Sequence, residues 1–257
     1  MTPQTIWATI ASAVMTSDEQ LTILRQGGEI WNRWREENQS AVLDFSGSDL
    51  RDIDLRGVDL GSAHLEGVRL EGADLQGGYL RRCNLRDARL AGAHLEEVYL
   101  KGAHLESAQL ENANLKGACL VRAYLVGAVL RGANLRAANL RAADLRRADF
   151  RSADRAGVNL ANADLRDADL RSANLENANL RHVKLAGANL AGACLCDADV
   201  VRGDLQGVNL EGADLRGADL RAADLRQANL TNAELQGANL QAAIVLHARL
   251  HGASVAG

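Results

Sequence analysis

Two cysteines separated by one leucine, Cys194-Leu195-Cys196, have the most reactive spacing in this 257-residue chain. Thiols so placed suit a soft metal ion. In the sequence no further His or Cys at ligand spacing completes such a set, so the pair reads as surface thiols with no metal and no cofactor. The two other cysteines, Cys83 and Cys119, do not make a disulfide framework in a chain of this size, and reduced thiols point to the cytoplasm. A second kind of chemistry lies in cations at regular intervals. Arg81, Lys101, Arg141, Arg181 and Arg221 fall at multiples of twenty residues from one another, and Tyr79 and Tyr99 are twenty apart. Cations in such a row could neutralise phosphates or meet an acidic protein, and exposed tyrosines could stack on bases. The plainer reading pairs each arginine with a flanking aspartate, as in Asp144-Leu145-Arg146, and stacks the tyrosines on each other. Phosphate-binding glycine motifs, a nucleophile elbow and HExxH are all missing from the sequence.

The elements that must position these residues follow from a period of five. From Phe45 to Val255 every fifth residue is in one register; 37 of these 43 positions are leucine, and 31 have alanine two residues earlier. A helix turns about 100° per residue, so a step of five scatters the leucines around its axis. A flat strand alternates faces, so an odd period alternates them too. The chain must therefore turn by a fixed amount in each pentad, which is a solenoid. Asp, Asn and Gly beside the leucines supply the turns. The single proline, Pro3, lies outside the repeat, as expected where most backbone N–H groups bond between coils.

These residues closely resemble the pentapeptide repeat family, whose hallmark is A(D/N)LXX, as in Ala163-Asp164-Leu165-Arg166-Asp167. The resemblance covers residues 43 to 257. It implies an all-β fold, a right-handed quadrilateral parallel β-helix with four pentads per 20-residue coil. At a spacing of ~4.8 Å the resulting rod, about 10.75 coils, would be roughly 50 Å long. On that register one outer face carries Arg81, Arg82, Lys101, Arg122, Arg141, Arg181, Arg202 and Arg221, with Tyr79 and Tyr99, against Asp59, Asp199 and Asp219 only. The result is a basic stripe between acidic neighbours. Some members similar to this fold bind DNA gyrase as duplex mimics, which needs a broadly acidic surface, many central phenylalanines and sometimes a projecting loop. This chain has two phenylalanines, Phe45 and Phe150, no interruption of the repeat, and a positive face.

The ends of the repeat differ. Residues 1–40 are expected to form an N-terminal helical cap over a β-helix domain at 41–257. From Ser17 the pattern predicts a helix capped by Ser17 with Gln20 completing a capping box, and Ile23, Leu24, Ile30, Trp31 and Trp34 on one face. Ile6, Trp7, Ile10 and Val14 predict a shorter helix; Ala11-Ser12-Ala13 resembles a signal cleavage site, but no basic residue precedes Ile6. No segment has the ~20 apolar residues of a membrane span. At the other end Ile244, Val245 and Leu246 predict an end-to-end homodimer with two-fold symmetry.

Within the repeat, Arg155 stands where leucine is usual. A lone charge in an apolar core is costly, so its corner is expected to bulge and carry the guanidinium out to solvent near Asp154. Cys83 replaces an inward alanine, and His64, His94 and His104 replace the residue before leucine as surface substitutions. His64 and His104 share a face two coils apart, roughly 10 Å, too far for joint metal binding. A filled rod offers no closed pocket. The chain is therefore expected to be a non-enzymatic, cytoplasmic scaffold or macromolecule-binding rod with a protein partner, similar to cyanobacterial members. The alternatives are a DNA mimic acting on gyrase or topoisomerase and, more weakly, direct nucleic-acid binding along the basic stripe.

Overall fold

In nearly every pentad the carbonyl of the central residue accepts a hydrogen bond from the N–H three residues on, as Leu55 does from Val58 at 3.1 Å. This closes a four-residue turn. Its third residue, two after the leucine, has positive φ throughout: Gly57 at 63°, Asp87 at 56°, Ala142 at 58°. A turn of this kind needs a left-handed residue there, which glycine supplies without strain. The aspartate or asparagine before the leucine turns its Oδ1 back onto the N–H two residues later, as Asp74 does to Gln76 at 3.1 Å. The recurrent Asp/Asn and Gly of the sequence are thus the two halves of one corner.

The computed structural model describes residues 15–254, and these form two helices and a repeat β-helix. Residues before Met15, including Ile6, Trp7, Ile10, Val14 and the Ala11–Ala13 stretch, lie outside them, as does Val255. From Asp44 to Ser254, parallel bridges join each residue before a central position to the residue twenty further on, so four pentads complete one coil. Bonds to the next coil run from the central N–H and from the turn residue, as Leu65 N–H to the Asn84 carbonyl at 2.7 Å and Gly67 N–H to the Arg86 carbonyl at 2.8 Å. A third bond runs back to the coil below, as His64 N–H to the Leu43 carbonyl at 2.8 Å. With the turn bond and the side-chain bond, all five N–H groups of a typical pentad are used, leaving no place for proline.

The central leucines and the alanines two residues before them fill the interior, nearly all at zero exposure. Cys83 takes an alanine place at 0% exposure and points its thiol at the Leu60 carbonyl, 2.8 Å away. Burial pushes that thiol up to about 12.

Arg155 departs from expectation. Its side chain is fully buried, with Cζ 4.0 Å from the Phe150 ring centroid and Nη2 3.4 Å from the Phe150 carbonyl. Bulging outward would break the ladder on both sides of the corner, where Arg155 N–H reaches the Asn174 carbonyl at 3.0 Å and Leu135 N–H the Asp154 carbonyl at 2.6 Å. The backbone keeps its register and the guanidinium lies against an aromatic face. Nε and Nη1 have no partner, and burial lowers the Arg155 pKa to about 9.

The segment before the repeat forms two helices, α1 (Ser17–Leu24) and α2 (Gly28–Glu37). The cap of α1 is Thr16 with Glu19, one residue earlier than the Ser17 and Gln20 expected. Gln20 is instead buried, its amide donating to the Val42 carbonyl at 3.1 Å. Gly27, at φ 105°, separates the helices, and α2 then lies on the first coil. A Cβ on Gly28 would come within 2.4 Å of the Arg56 carbonyl oxygen, so α2 starts where only glycine fits. Trp31 Nε1 donates to the Asp59 carbonyl at 2.7 Å, and Asn32 both donates to the Gly57 carbonyl and accepts from Asp59 N–H. Ile23, Leu24, Trp31 and Trp34 are buried, and Trp31 stands edge-on to Phe45 at 5.6 Å. Ile30 does not join them. At 38% exposure it lies outside the buried face, since the break at Gly27 resets the helical phase set by Ile23 and Leu24.

At the far end the last of these forward bonds among the described residues runs from Leu235 N–H to the Ser254 carbonyl at 2.8 Å. Ile244, Val245, Leu246 and Leu250 are exposed there.

Candidate functional site

The corner geometry places the side chains at either side of each central leucine next to each other. Where they are Asp and Arg, they make a two-bond fork: Arg146 Nε and Nη2 donate to the two Asp144 oxygens at 2.8 and 2.7 Å. The same fork joins Arg51 to Asp49, Arg56 to Asp54, Arg166 to Asp164, Arg171 to Asp169 and Arg221 to Asp219. Arg51 and Arg56 thereby hold the carboxyls of Asp49 and Asp54 at about 2. A positive side chain beside such a carboxylate is cancelled on the spot.

Beside α2 the fork is replaced by a different pairing. Along one column the place before leucine reads Asp59, Tyr79, Tyr99, Cys119, so Arg81 and Lys101 find a tyrosine where an aspartate would be. The tyrosine rings stack on each other at 5.1 Å with 8° between planes. Arg81, Arg82, Lys101 and Arg122 form no ion pair among the described residues. These four, with Arg35 from α2, line a half-open basin of about 740 Å³ whose other walls are Asp59, Gly61, Ser62, Gly102, His104 and Tyr124. Five cations face one carboxylate, and Asp59 already accepts from Gly61 N–H at 2.9 Å. His104 stacks on Tyr124 at 4.7 Å and its Nδ1 lies 3.1 Å from Glu106, which also takes Arg86 at 3.0 Å.

The structure therefore gathers Arg81, Arg82, Lys101 and Arg122 into one place and leaves the rest of the expected stripe outside it. Arg141 and Arg202 lie further along without an ion pair among the described residues, while Arg181 binds Asp199 at 2.9 Å and Arg221 binds Asp219 at 2.6 Å. Tyr79 lines a neighbouring hollow with Asn32, Arg35 and Gln39, and Tyr99 stands stacked beside it. Arg35 and Tyr124 stand outside the expected site residues, and His104, expected as a plain surface substitution, lines the basin. Arg35 comes from a helix outside the repeat register, and its contribution depends on how α2 crosses the first coil.

Cys194 and Cys196 occupy the two fork positions around Leu195, and their sulfurs lie 2.9 Å apart. One coil on from Cys194 is Asp214. Burial, then Asp214 and Cys194 beside it, pushes the Cys196 thiol up, while the fork from Arg216 holds the Asp214 carboxyl down. His64 and His104 sit in one column with Asn84 between them. No helix among the described residues is long and apolar enough to cross a membrane.

The family profile for pentapeptide repeats matches in eight copies, over residues 44–77, 79–117, 163–200 and 203–242, and that for a pentapeptide repeat region matches 103–180. Among solved structures the chain is similar to HetL, a pentapeptide repeat protein involved in heterocyst differentiation regulation from the cyanobacterium Nostoc sp. strain PCC 7120. Identity is 34%, covering 89% of this chain and 96% of HetL, with a TM-score of 0.58. QnrB1, a plasmid-mediated fluoroquinolone resistance protein, is 18% identical over 83% of this chain and 92% of its own, at a TM-score of 0.35. Rfr23, a pentapeptide repeat protein from the cyanobacterium Cyanothece 51142, is 34% identical over 40% of this chain and 64% of its own, at 0.16. The comparison with curated proteins finds no match. With its profile matched over more than half its length, every corner built on the same five-residue rule and HetL alike along nearly the whole chain, this protein belongs to the pentapeptide repeat family.

Proposed function

We propose that this chain is a non-enzymatic binding rod that takes an acidic surface of a partner protein into the basin beside α2. The carrying observation is the cluster of Arg35, Arg81, Arg82, Lys101 and Arg122 around one hollow, without ion pairs among the described residues. Many arginines of the fold are neutralised by the Asp–Leu–Arg fork; here Tyr79 and Tyr99 stand in the aspartate place beside Arg81 and Lys101, Arg82 and Arg122 sit at turn positions outside the fork, and the charge is left for a partner. The 34% identity to HetL, a protein of differentiation regulation, supports regulatory binding over catalysis. The rest of the reading is a right-handed quadrilateral β-helix at 41–257, about 10.75 coils, behind a helical cap within 1–40 in which Trp31 and Trp34 cover the first coil. A second copy of the chain, docked end to end in the cytoplasm, covers Ile244, Val245 and Leu246.

A glutamate-rich peptide is the probe. It should bind the intact chain with an affinity that falls as salt rises, and R81E/K101E/R122E should lose at least about tenfold. Equal binding by that variant overturns the basin. Tighter binding of duplex DNA than of the peptide replaces the protein partner with nucleic acid, and inhibition of gyrase supercoiling at stoichiometric protein replaces it with duplex mimicry.

A further inference from the structure

We propose that Cys194, Cys196 and Asp214 form a binding site for one soft divalent metal ion of the zinc and cadmium class. Two rules of the fold create it. The first is the corner fork, which sets the residues before and after a central leucine side by side; with Asp and Arg it makes an ion pair, and with two cysteines it makes a chelating dithiol. The second is coil stacking, which puts residue i+20 directly over residue i and so lays Asp214 on Cys194.

The donor atoms of the three side chains all lie within 4.8 Å of one another. Tetrahedral zinc, with ~2.3 Å bonds to sulfur and ~2.0 Å to oxygen, holds two thiolates roughly 3.8 Å apart. The sulfurs stand at 2.9 Å and need part by only about 1 Å, which small rotations of the two side chains provide. All three residues are half-buried, so an ion can reach them and remains partly shielded from solvent.

On binding, two thiol protons leave to solvent; the two thiolates then offset the divalent ion, and the Arg216 guanidinium faces the Asp214 carboxylate. Arg216, with Nη2 2.6 Å and Nε 2.9 Å from the two Asp214 oxygens, fixes the carboxylate in place. The fourth position falls to water or to Glu176, which lines the same shallow depression. Thiolate with carboxylate favours zinc or cadmium over magnesium or calcium, which take oxygen donors alone. The other cysteines do not compete for the same ion: Cys83 is enclosed in the core and Cys119 is in the tyrosine column.

The test is titration of the reduced full-length chain with cadmium, following the ultraviolet thiolate-to-cadmium charge-transfer band. One ion per chain is expected, with no band in C194S/C196S. D214N should keep a band but weaken binding by at least about tenfold. Circular dichroism of the variants checks that the coil persists, which is expected because none of the three side chains belongs to the core. A chain that gives no band, a double variant that keeps it, or D214N binding as tightly as the parent overturns the site.

Discussion

Arg155 is the one charge enclosed in the core among the described residues, and its environment makes it a net cost. It has the face of Phe150, one long bond to a carbonyl and two nitrogens without partners. A buried cation so poorly satisfied is worth less than a hydrocarbon of similar size. Arg155→Leu should raise stability by ~1 to 4 kcal/mol in urea unfolding. The pH dependence has a definite sign. The folded pKa, about 9, lies below the ordinary 12.5, so between these values the unfolded chain holds the proton more firmly than the folded one. Stability then rises with pH across that window, and the advantage of R155L over the parent should shrink above pH 9 and be constant below it. An advantage that stays level to high pH would mean that the side chain reaches solvent. The thiol pair at Cys194 and Cys196 illustrates the same scale from outside: the two positions that hold an Asp–Arg fork at Asp144 and Arg146 bring two sulfurs to 2.9 Å when cysteines occupy them.

At the scale of elements, α1 and α2 act through α2's grip on the first coil. Trp31 is fully buried, pairs with Trp34 at 4.9 Å and with Phe45 at 5.6 Å, and donates to the Asp59 carbonyl. Trp31→Ala removes that packing and one buried hydrogen bond, and should cost ~3 to 5 kcal/mol. In a rod whose coils contact only their neighbours, this loss should be local. Hydrogen exchange is therefore expected to speed up in α1, α2 and the coil from Asp44 to Ala63, with coils beyond Leu120 unchanged. Uniform loss of protection would show instead that the helices and all coils unfold as one unit. The same helix sets the basin, because Arg35 reaches it only while Trp31 and Asn32 hold α2 in place.

For the molecule as a whole, the two ends of the described stack differ. The first coil has α2 against it; the last described coil exposes Ile244 at 49%, Leu246 at 59% and Leu250 at 47%. Sedimentation equilibrium at micromolar concentration should give a dimer for the parent and a monomer for L246E, and a monomeric parent removes the end-to-end contact. Much of this was legible in the sequence because one pentad is a complete instruction. Leucine in, alanine in, Asp or Asn at the corner and Gly at positive φ are all local, and repetition carries them from Phe45 onward without reference to distant contacts. Cys83 could be placed inward by counting alone. The basin, the third donor beside Cys194 and the fate of Arg155 could not. The basin needs the crossing of α2 over the first coil, Asp214 needs the twenty-residue stack, and Arg155 stays inside because the neighbouring coils hold its backbone in register against the cost of the charge. Each depends on coils or helices brought together from distant parts of the chain, so the sequence determined the repeating unit and its inward face, and only the stacked structure decided which outward side chains meet.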